Sequence, residues 1–283
     1  MSSICSARRF GWSVLTAAAL VASLAGTASA QVVVTGAVDV TNQYSFRGIR
    51  QNSSEVSIWP YFDVGGATYK GDGDLKSVSV NVGMWNAFHT EISDFTNRDG
   101  ELSSNKWYEA DYYGTLGLGF GGGVSLGTTY TSYTSPGNYW AHIKEIAFKL
   151  SVDDSMALGK GALKPYGLIA FELDENGADG VGNRGTYIEL GVAPSYAWSK
   201  ASLAVPIKIG LSADDYYEFA GESDVFGYFS IAGVGTVPLG PHFNLHGGVE
   251  FQQYGGTLED INEGYGIDDG HKVIGSIGLG FSF

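Results

Sequence analysis

The last segment of the chain, from His271 to Phe283, alternates between large apolar and small side chains along most of its length. Glycine and serine dominate one face, and the other face carries Val273, Ile277, Leu279, Phe281 and Phe283. A period of two residues is that of a β-strand with one apolar face. At the end of a water-soluble domain such a strand would fray, whereas in a closed barrel it pairs with the first strand and leaves no free edge. The segment therefore predicts a closed barrel whose apolar faces meet lipid.

Similar alternation recurs in segments of about ten residues from Val32 to Gly255, and we count about twelve predicted strands in all. The first runs from Val32 to Phe46. Connections after odd-numbered strands are mostly long and polar, such as residues 256–270, and those after even-numbered strands are mostly short. Outer-membrane barrels show this pattern of longer external loops and short periplasmic turns. The sequence therefore predicts an all-β fold, a closed antiparallel transmembrane β-barrel of about 12 strands; the alternative, a secreted β-sandwich, gives no reason for the alternating connections.

Residues 1–30 have the pattern of a signal peptide, which leaves residues 31–283 for the outer-membrane β-barrel. Arg8 and Arg9 precede an apolar run, and Ala28-Ser29-Ala30 forms a small-residue cleavage site. The single cysteine, Cys5, lies inside this segment, so the mature chain is expected to have no disulfide and no thiolate metal site. A net charge of −14 argues against nucleic acid as a partner. Charged residues make up only 16% of the chain, against about 25% in soluble domains, which suits a sheet facing lipid.

Two stretches resemble known proteins. Residues 39–69 are similar to the start of the TorF family, to which a porin role is ascribed, through Tyr44, Phe46, Arg47, Gly48, Gln51 and Pro60, and the third strand is similar through Gly83, Trp85 and Asn86. The ending resembles the C-terminal assembly signal of bacterial outer-membrane barrels, with Leu279, Phe281 and Phe283 at alternate positions. The resemblance implies an outer-membrane barrel of a Gram-negative bacterium with a pore role, and it carries over no catalytic residue.

If the apolar faces meet lipid, the opposite faces line the interior. The candidate pore-lining residues are Asp39, Arg47, Asp63, Trp85, Glu109, Asp111, Lys149, Glu172, Glu189, Lys208 and Glu250. Acids outnumber bases, which favours cations in a water-filled path; alternatively the charges pair across the interior and hold it shut. Because twelve strands lie between a filled eight-stranded and an open sixteen-stranded barrel, and aromatic residues also point inward, we expect a narrow or plugged path. Arg47 and Arg50 either contact a solute or form a salt bridge that locks a loop, and we favour the salt bridge.

The sequence thus predicts a passive outer-membrane channel for the transport of small cationic or neutral solutes, with no cofactor and no metal. Expected partners are these solutes, outer-membrane lipids and lipopolysaccharide, and the barrel-assembly machinery, which would bind the C-terminal strand. One alternative is a non-conducting barrel whose loops act in structure or adhesion. Another is a lipid-modifying enzyme, which needs a serine and a histidine on the lipid-facing surface. The alternation turns His89 and His246 inward, so no such set is predicted and no enzymatic activity is expected.

Overall fold

The computed structural model describes residues 32–52, 56–90, 95–180, 182–263 and 270–283. In this part of the chain, twelve antiparallel strands form one closed sheet, as the sequence predicted. The strands are β1 (Val33–Thr41), β2 (Ser57–Lys70), β3 (Leu75–His89), β4 (Trp107–Phe120), β5 (Val124–Thr134), β6 (Ile143–Val152), β7 (Tyr166–Glu172), β8 (Thr186–Val192, continued by Ser195–Ala197), β9 (Ser202–Ala204, continued by Ile207–Ala213), β10 (Phe226–Pro238), β11 (Phe243–Tyr254) and β12 (His271–Ser282). The predicted signal peptide, residues 1–30, lies outside the described residues.

The last strand closes the barrel by pairing with the first. β12 pairs with β11 on one side and with β1 on the other, from Thr35 opposite Ser282 to Thr41 opposite Ser276. Beyond this ladder, Val34 and Phe283 exchange two backbone hydrogen bonds of 2.9 Å. The prediction that the last segment forms the seam of a closed barrel is therefore confirmed.

The outer face of the barrel is apolar around its circumference. Side chains that point away from the interior are exposed although they are large and apolar, among them Val38, Phe62, Leu116, Leu150, Leu190, Ile231, Val249 and Ile277. Exposed and half-buried apolar residues at outward positions of the strands form the band that lipid covers in a transmembrane barrel. The inner face, by contrast, holds most of the buried charged residues.

The two ends of the barrel differ. Tight connections of a few residues follow β2, β4, β8 and β10, and the connection after β6 contains a short helix, α1 (Ser155–Leu158). We call this the short-turn end. The connections after odd-numbered strands are mostly longer, and they define the long-loop end. In those loops, Phe95–Thr96 pairs with Leu102–Ser103, and Glu218–Phe219 pairs with Glu222–Ser223. Among the described residues, no helix is both long and apolar enough to cross a membrane.

Two strands that the alternation predicts as continuous are interrupted. β8 breaks at Pro194 and β9 breaks at Pro206, which lie side by side near the short-turn end. Proline has no amide hydrogen to donate to a ladder. The strands therefore resume only after each proline has been passed.

β1 is shorter than predicted, because it ends at Thr41 and not at Phe46. The Thr41 hydroxyl donates to the Gln43 carbonyl at 2.9 Å and accepts from the Gln43 amide. This local turn takes the backbone out of the ladder, since Thr and similar side chains compete with the sheet for backbone groups. The residues that follow enter the barrel interior.

The segment after β1 forms a small hairpin inside the barrel. Ser45–Phe46 pairs with Ile49–Arg50 across a turn at Arg47 and Gly48, whose φ angles are 51° and 85°. We call residues 43–52 the plug hairpin. Against it lies α2 (Gly256–Glu263), in a stretch that the sequence predicted to be an external loop. Both elements pack on the inner face at the long-loop end, so that end of the barrel is filled.

Candidate functional site

The barrel interior contains every residue predicted to line it. Asp39, Asp63, Trp85, Glu109, Asp111, Lys149, Glu172, Glu189, Lys208 and Glu250 lie on the inner faces of their strands. Arg47 also lies inside the barrel, but it belongs to the plug hairpin and not to a strand. The role of these residues in conduction stays a prediction. Along the barrel axis they are arranged in layers.

Arg47 ties the plug hairpin to the barrel wall. Its two terminal nitrogens donate to the two carboxylate oxygens of Glu145 on β6, at 2.5 and 2.8 Å. The guanidinium lies 4.3 Å from the ring centre of Tyr187 and donates to the Tyr216 hydroxyl at 3.0 Å. Burial raises the pKa of the Tyr216 phenol well above its ordinary value, so this acceptor is neutral. Of the two roles considered for Arg47, the geometry matches the salt bridge that locks a loop.

Further hydrogen bonds hold the remaining parts of the plug hairpin, most of them between neutral groups and one from the Arg50 guanidinium to the Gln43 side-chain oxygen at 2.9 Å. At its base, the side-chain nitrogen of Gln43 donates to the Asn52 side-chain oxygen at 2.6 Å. At its tip, the Tyr217 hydroxyl donates to the Arg47 carbonyl at 2.8 Å. Asn262 of α2 bridges the turn, because its oxygen accepts from the Arg50 amide at 2.9 Å and its nitrogen donates to the Gly48 carbonyl at 3.0 Å.

α2 and the plug hairpin share one apolar cluster. Leu258 and Ile261 of α2 pack with Ile49 of the hairpin and with tyrosines of the wall and of the β9–β10 loop, namely Tyr187, Tyr216, Tyr217, Tyr228 and Tyr254. A Cβ atom at Gly48 would lie 2.6 Å from a Leu258 methyl carbon. The turn of the hairpin therefore fits against the helix only with glycine at this position.

A second cluster, made of aromatic residues, fills the opposite side of the long-loop end. The Tyr44 ring lies 5.3 Å from both Trp59 and Trp85, and the His89 ring lies 4.4 Å from Tyr108. The His89 Nδ1 atom is 3.1 Å from the Ser57 hydroxyl. Trp85, predicted to line a path, is thus part of the packed seal around the plug hairpin.

Between the plug hairpin and the open end lies a layer of charged residues. Glu189 accepts hydrogen bonds from Tyr166 and Tyr187 at 2.8 and 2.7 Å, and the Lys208 ammonium is 3.8 Å away. Lys149 lies 4.2 Å from the centre of the Tyr166 ring. Across the barrel, Asp39 contacts the His246 Nε2 atom at 2.6 Å, Tyr113 donates to Asp63, and Ser230 donates to Glu250.

Carboxylates also collect beside the plug hairpin. Glu109, Glu145 and Glu172 line a cavity of about 80 Å³ whose other walls include the rings of Phe46 and Tyr133. Asp111 is buried on the same strand as Glu109. Glu172 accepts from the backbone amides of Ala178 and Gly185 at 2.8 and 2.7 Å, so it fixes the β7–β8 loop over this cavity.

The short-turn end of the interior is open. A cavity of about 260 Å³ is lined by small side chains and one cation, namely Ser77, Ser79, Gly117, Gly119, Ser125, Gly127, Lys149 and Ser151, together with the backbone of neighbouring positions. Small residues on β3 to β6 therefore leave a vestibule at this end, whereas aromatic and long charged residues fill the other.

Several residues of this interior were not predicted. Asn262, Leu258, Tyr216 and Tyr217 lie in connections whose alternation is weak. Only the apolar or aromatic character of Leu258 and the two tyrosines distinguished them from other loop residues, and nothing in the sequence distinguished Asn262. A pair on the outer face was also missed: the Ser132 hydroxyl lies 2.7 Å from the Nε2 atom of His142. The alternation turns Ser132 outward, but His142 lies in a connection, where no strand phase applies.

No known family profile matches the chain, and no curated protein sequence matches it. Among solved structures, an outer-membrane channel from Pseudomonas putida F1 is 12% identical with a TM-score of 0.45, covering 89% of this chain and 94% of that one. The translocator domain of the autotransporter NalP from Neisseria meningitidis is 14% identical with a TM-score of 0.44, covering 96% of both chains. Outer membrane phospholipase A from Escherichia coli is 12% identical with a TM-score of 0.42, covering 88% and 89%. At these identities and TM-scores, none of the similarities assigns a function to this chain.

Proposed function

We propose that this protein is a channel of the outer membrane, through which small cationic or neutral solutes diffuse passively, and that the plug hairpin closes its long-loop end. The observation that carries this proposal is that the plug hairpin is separable from the barrel. Its two strands pair only with each other, and none of its residues belongs to the ladder of the closed sheet. Its displacement would therefore join the vestibule to the long-loop end without breaking the barrel.

The preference for cations rests on how the interior carboxylates are neutralised. Glu145 pairs with Arg47, and Glu189 lies near Lys208. In contrast, Asp63 and Glu250 accept hydrogen bonds from neutral donors, which carry no compensating charge. A path walled by uncompensated carboxylates lowers the energy of a cation and raises that of an anion.

The same proposal includes the location in the outer membrane and the lipid and assembly partners. The apolar outer face would contact outer-membrane lipids and lipopolysaccharide, and the long loops would face outward. Leu279, Phe281 and Phe283 point to the lipid-facing side of β12, where the barrel-assembly machinery could bind them during insertion. Membership of the TorF family, which the residues around Arg47 suggest, would agree with this setting.

Planar-bilayer recordings test the channel and its closure together. Arg47→Ala removes both charged hydrogen bonds to Glu145, so we expect it to conduct in larger or more frequent steps than the wild type. In a salt gradient, the reversal potential should show cations as the main carriers. Lys106→Ala is the matched control, because it removes one exposed cation, which donates to the Thr90 carbonyl outside the barrel. If neither the wild type nor Arg47→Ala conducts when folded, the channel proposal is wrong.

The closed long-loop end favours one other function, a non-conducting barrel that presents its loops for adhesion or structure. The bilayer experiment separates the two, since silence of both folded proteins would leave this second function standing. A conducting Arg47→Ala protein would instead show that the interior can serve as a path once the plug hairpin is released.

A further inference from the structure

Ser132 and His142 form a hydrogen-bonded pair on the outer surface, away from the proposed path. The neighbours of Ser132 along β5, Thr131 and Tyr133, point inward, and Tyr133 contacts Glu145 in the interior. Ser132 therefore points outward. Its hydroxyl lies 2.7 Å from the Nε2 atom of His142, which immediately precedes β6. When Nδ1 carries the ring proton, Nε2 can accept the proton of the hydroxyl, which is the relation between a nucleophile and its base.

Charged and polar neighbours surround this pair on the same face. Ser132 is opposite Lys144 on β6, and Cβ atoms of such a pair lie about 4.5–5.5 Å apart. The Lys144 ammonium is paired with Asp174 at 2.8 Å, and the Asn176 amide donates to the His142 carbonyl at 3.2 Å. The β7–β8 loop thus holds both the histidine segment and a cation beside the serine.

The pair lies at the boundary between the apolar band and the long loops. Toward the short-turn end, the outward faces of the same and adjacent strands are apolar and exposed, with Tyr130, Leu116, Phe148 and Phe171. Toward the other end, the chain continues into polar connections. Acyl chains that lie along the apolar band would bring their ester groups to the level of Ser132, because ester linkages lie between the acyl chains and the headgroups.

The ionisation of His142 suits a base. Partial burial lowers the pKa of its imidazole below the ordinary value, and the Lys144 ammonium acts in the same direction against a smaller opposing effect of Asp174. At neutral pH the imidazole is therefore mostly uncharged, so Nε2 is free to accept a proton.

We propose that Ser132 and His142 are the nucleophile and general base of a second site, which hydrolyses acyl esters of outer-leaflet lipids. The Ser132 oxygen attacks the ester carbonyl carbon while His142 takes the hydroxyl proton. The bond from that carbon to the alcohol oxygen then breaks, and His142 returns the proton to the leaving alcohol. Water, deprotonated by His142, attacks the acyl-serine in the second half of the reaction, which releases a fatty acid and restores the serine. The Lys144 ammonium would stabilise the oxyanion of each tetrahedral intermediate.

The substrate class is a carboxylic ester whose acyl chain is embedded in the membrane. Glycerophospholipids and the acylated sugars of lipopolysaccharide both present this chemistry at the outer surface. The site does not use the interior of the barrel, so it is independent of conduction. A Ser132→Ala protein should conduct like the wild type even where it has lost all hydrolysis.

Two measurements on the folded, full-length barrel test the site. A fluorophosphonate probe should label the wild type, with the modified peptide mapping to Ser132. In mixed micelles, the wild type should release labelled fatty acid from a phospholipid or from lipopolysaccharide, assayed in separate arms that identify the source. Ser132→Ala should abolish labelling and release, and His142→Ala should lower the release rate by about 100- to 10,000-fold.

Thr128→Ala is the matched control, since Thr128 is another hydroxyl residue on the outward face of β5 and pairs with Phe148 rather than with a base. It should keep full labelling and release. The proposal is overturned if the folded wild type takes up no probe at Ser132 and releases no fatty acid in either arm. Labelling or release that persists unchanged in Ser132→Ala would overturn it as well, because another residue would then be responsible.

Discussion

At the scale of single residues, Arg47 shows how a buried charge can hold a movable segment. Its guanidinium donates hydrogen bonds to Glu145 and Tyr216, and it is flanked by the rings of Phe46 and Tyr187. Removing one partner of a buried pair leaves the other charge uncompensated, which typically costs about 3–5 kcal/mol. Arg47→Ala should therefore destabilise the docked hairpin strongly, whereas in the wild type the pair consists of side-chain contacts that can separate without unfolding a strand.

Alternation along the strands was enough to predict which residues face the interior, but not which of them meet. Arg47 and Glu145 are separated by 98 positions. Their contact depends on a hairpin whose first strand, Ser45–Phe46, lies in the stretch that was predicted to continue β1. The sequence left both a solute contact and a salt bridge open for Arg47. Only the path of the chain after Thr41 decides between them.

Gly48 gives the sharpest prediction at this scale. Its φ of 85° is strained for any other residue, and an added Cβ would meet Leu258 at 2.6 Å and Tyr228 at 3.0 Å. Gly48→Ala should therefore weaken docking of the plug hairpin by about 1–3 kcal/mol from the backbone alone. The measurement is the rate of trypsin cleavage after Arg47 or Arg50, which should rise about tenfold for each 1.4 kcal/mol.

Gly73→Ala is the control for that experiment, because a Cβ there would meet nothing within 4 Å. It should leave the cleavage rate at the wild-type value. Equal cleavage of Gly48→Ala and the wild type would show that the hairpin turn does not depend on close packing against α2.

At the scale of elements, the strands were predictable and the parts that fill the barrel were not. Each strand of the barrel alternates between residues that face lipid and residues that face the interior, so its sequence shows a period of two. The α2 segment shows no comparable sequence pattern, and a helix of eight residues is not stable by itself. Its buried residues, Thr257, Leu258, Ile261 and Asn262, are recognisable as one face only once the helix is docked. The sequence therefore predicted this stretch as an external loop.

Asn262 tests whether α2 supports the plug hairpin through hydrogen bonds. Asn262→Ala leaves the Arg50 amide and the Gly48 carbonyl without their partners, and each buried unsatisfied group costs about 1–3 kcal/mol. Because alanine favours helix more than asparagine does, a loss cannot be ascribed to fraying of α2. Trypsin cleavage within the hairpin should accelerate in Asn262→Ala, and less so in Asn262→Asp, which keeps the acceptor for the Arg50 amide.

Glu263→Ala changes the next residue of α2, which is exposed, so it controls for any general effect of substitution in the helix. We expect it to be cleaved like the wild type. If Asn262→Ala is cleaved no faster than Glu263→Ala, the bridge from α2 to the hairpin contributes nothing to closure.

At the scale of the whole molecule, an interior that is open at one end and filled at the other follows from where small residues are placed. Serine and glycine line the inner face of β3 to β6 toward the short turns, whereas tyrosine, tryptophan and long charged side chains line the long-loop end. The strand number and the inward-pointing aromatic residues predicted a narrow or plugged path. The division of the interior into an open half and a filled half could not be predicted. This division depends on which residue types neighbouring strands carry at the same position along the barrel axis.

The seam between β1 and β12 is the feature on which closure of the whole barrel depends, and Phe283 is its last residue. The Phe283 backbone exchanges two hydrogen bonds with Val34, while its ring stacks on His242 and meets Phe243 edge-on. Deleting Phe283 should therefore reduce the fraction of folded barrel in the outer membrane more than it changes conduction by the molecules that assemble. Phe283→Ala keeps the backbone bonds and loses only the ring, so it separates the two contributions. Assembly lost in both variants would identify the aromatic ring as the assembly signal, loss in the deletion alone would identify the seam bonds, and wild-type assembly of the deletion would contradict both roles.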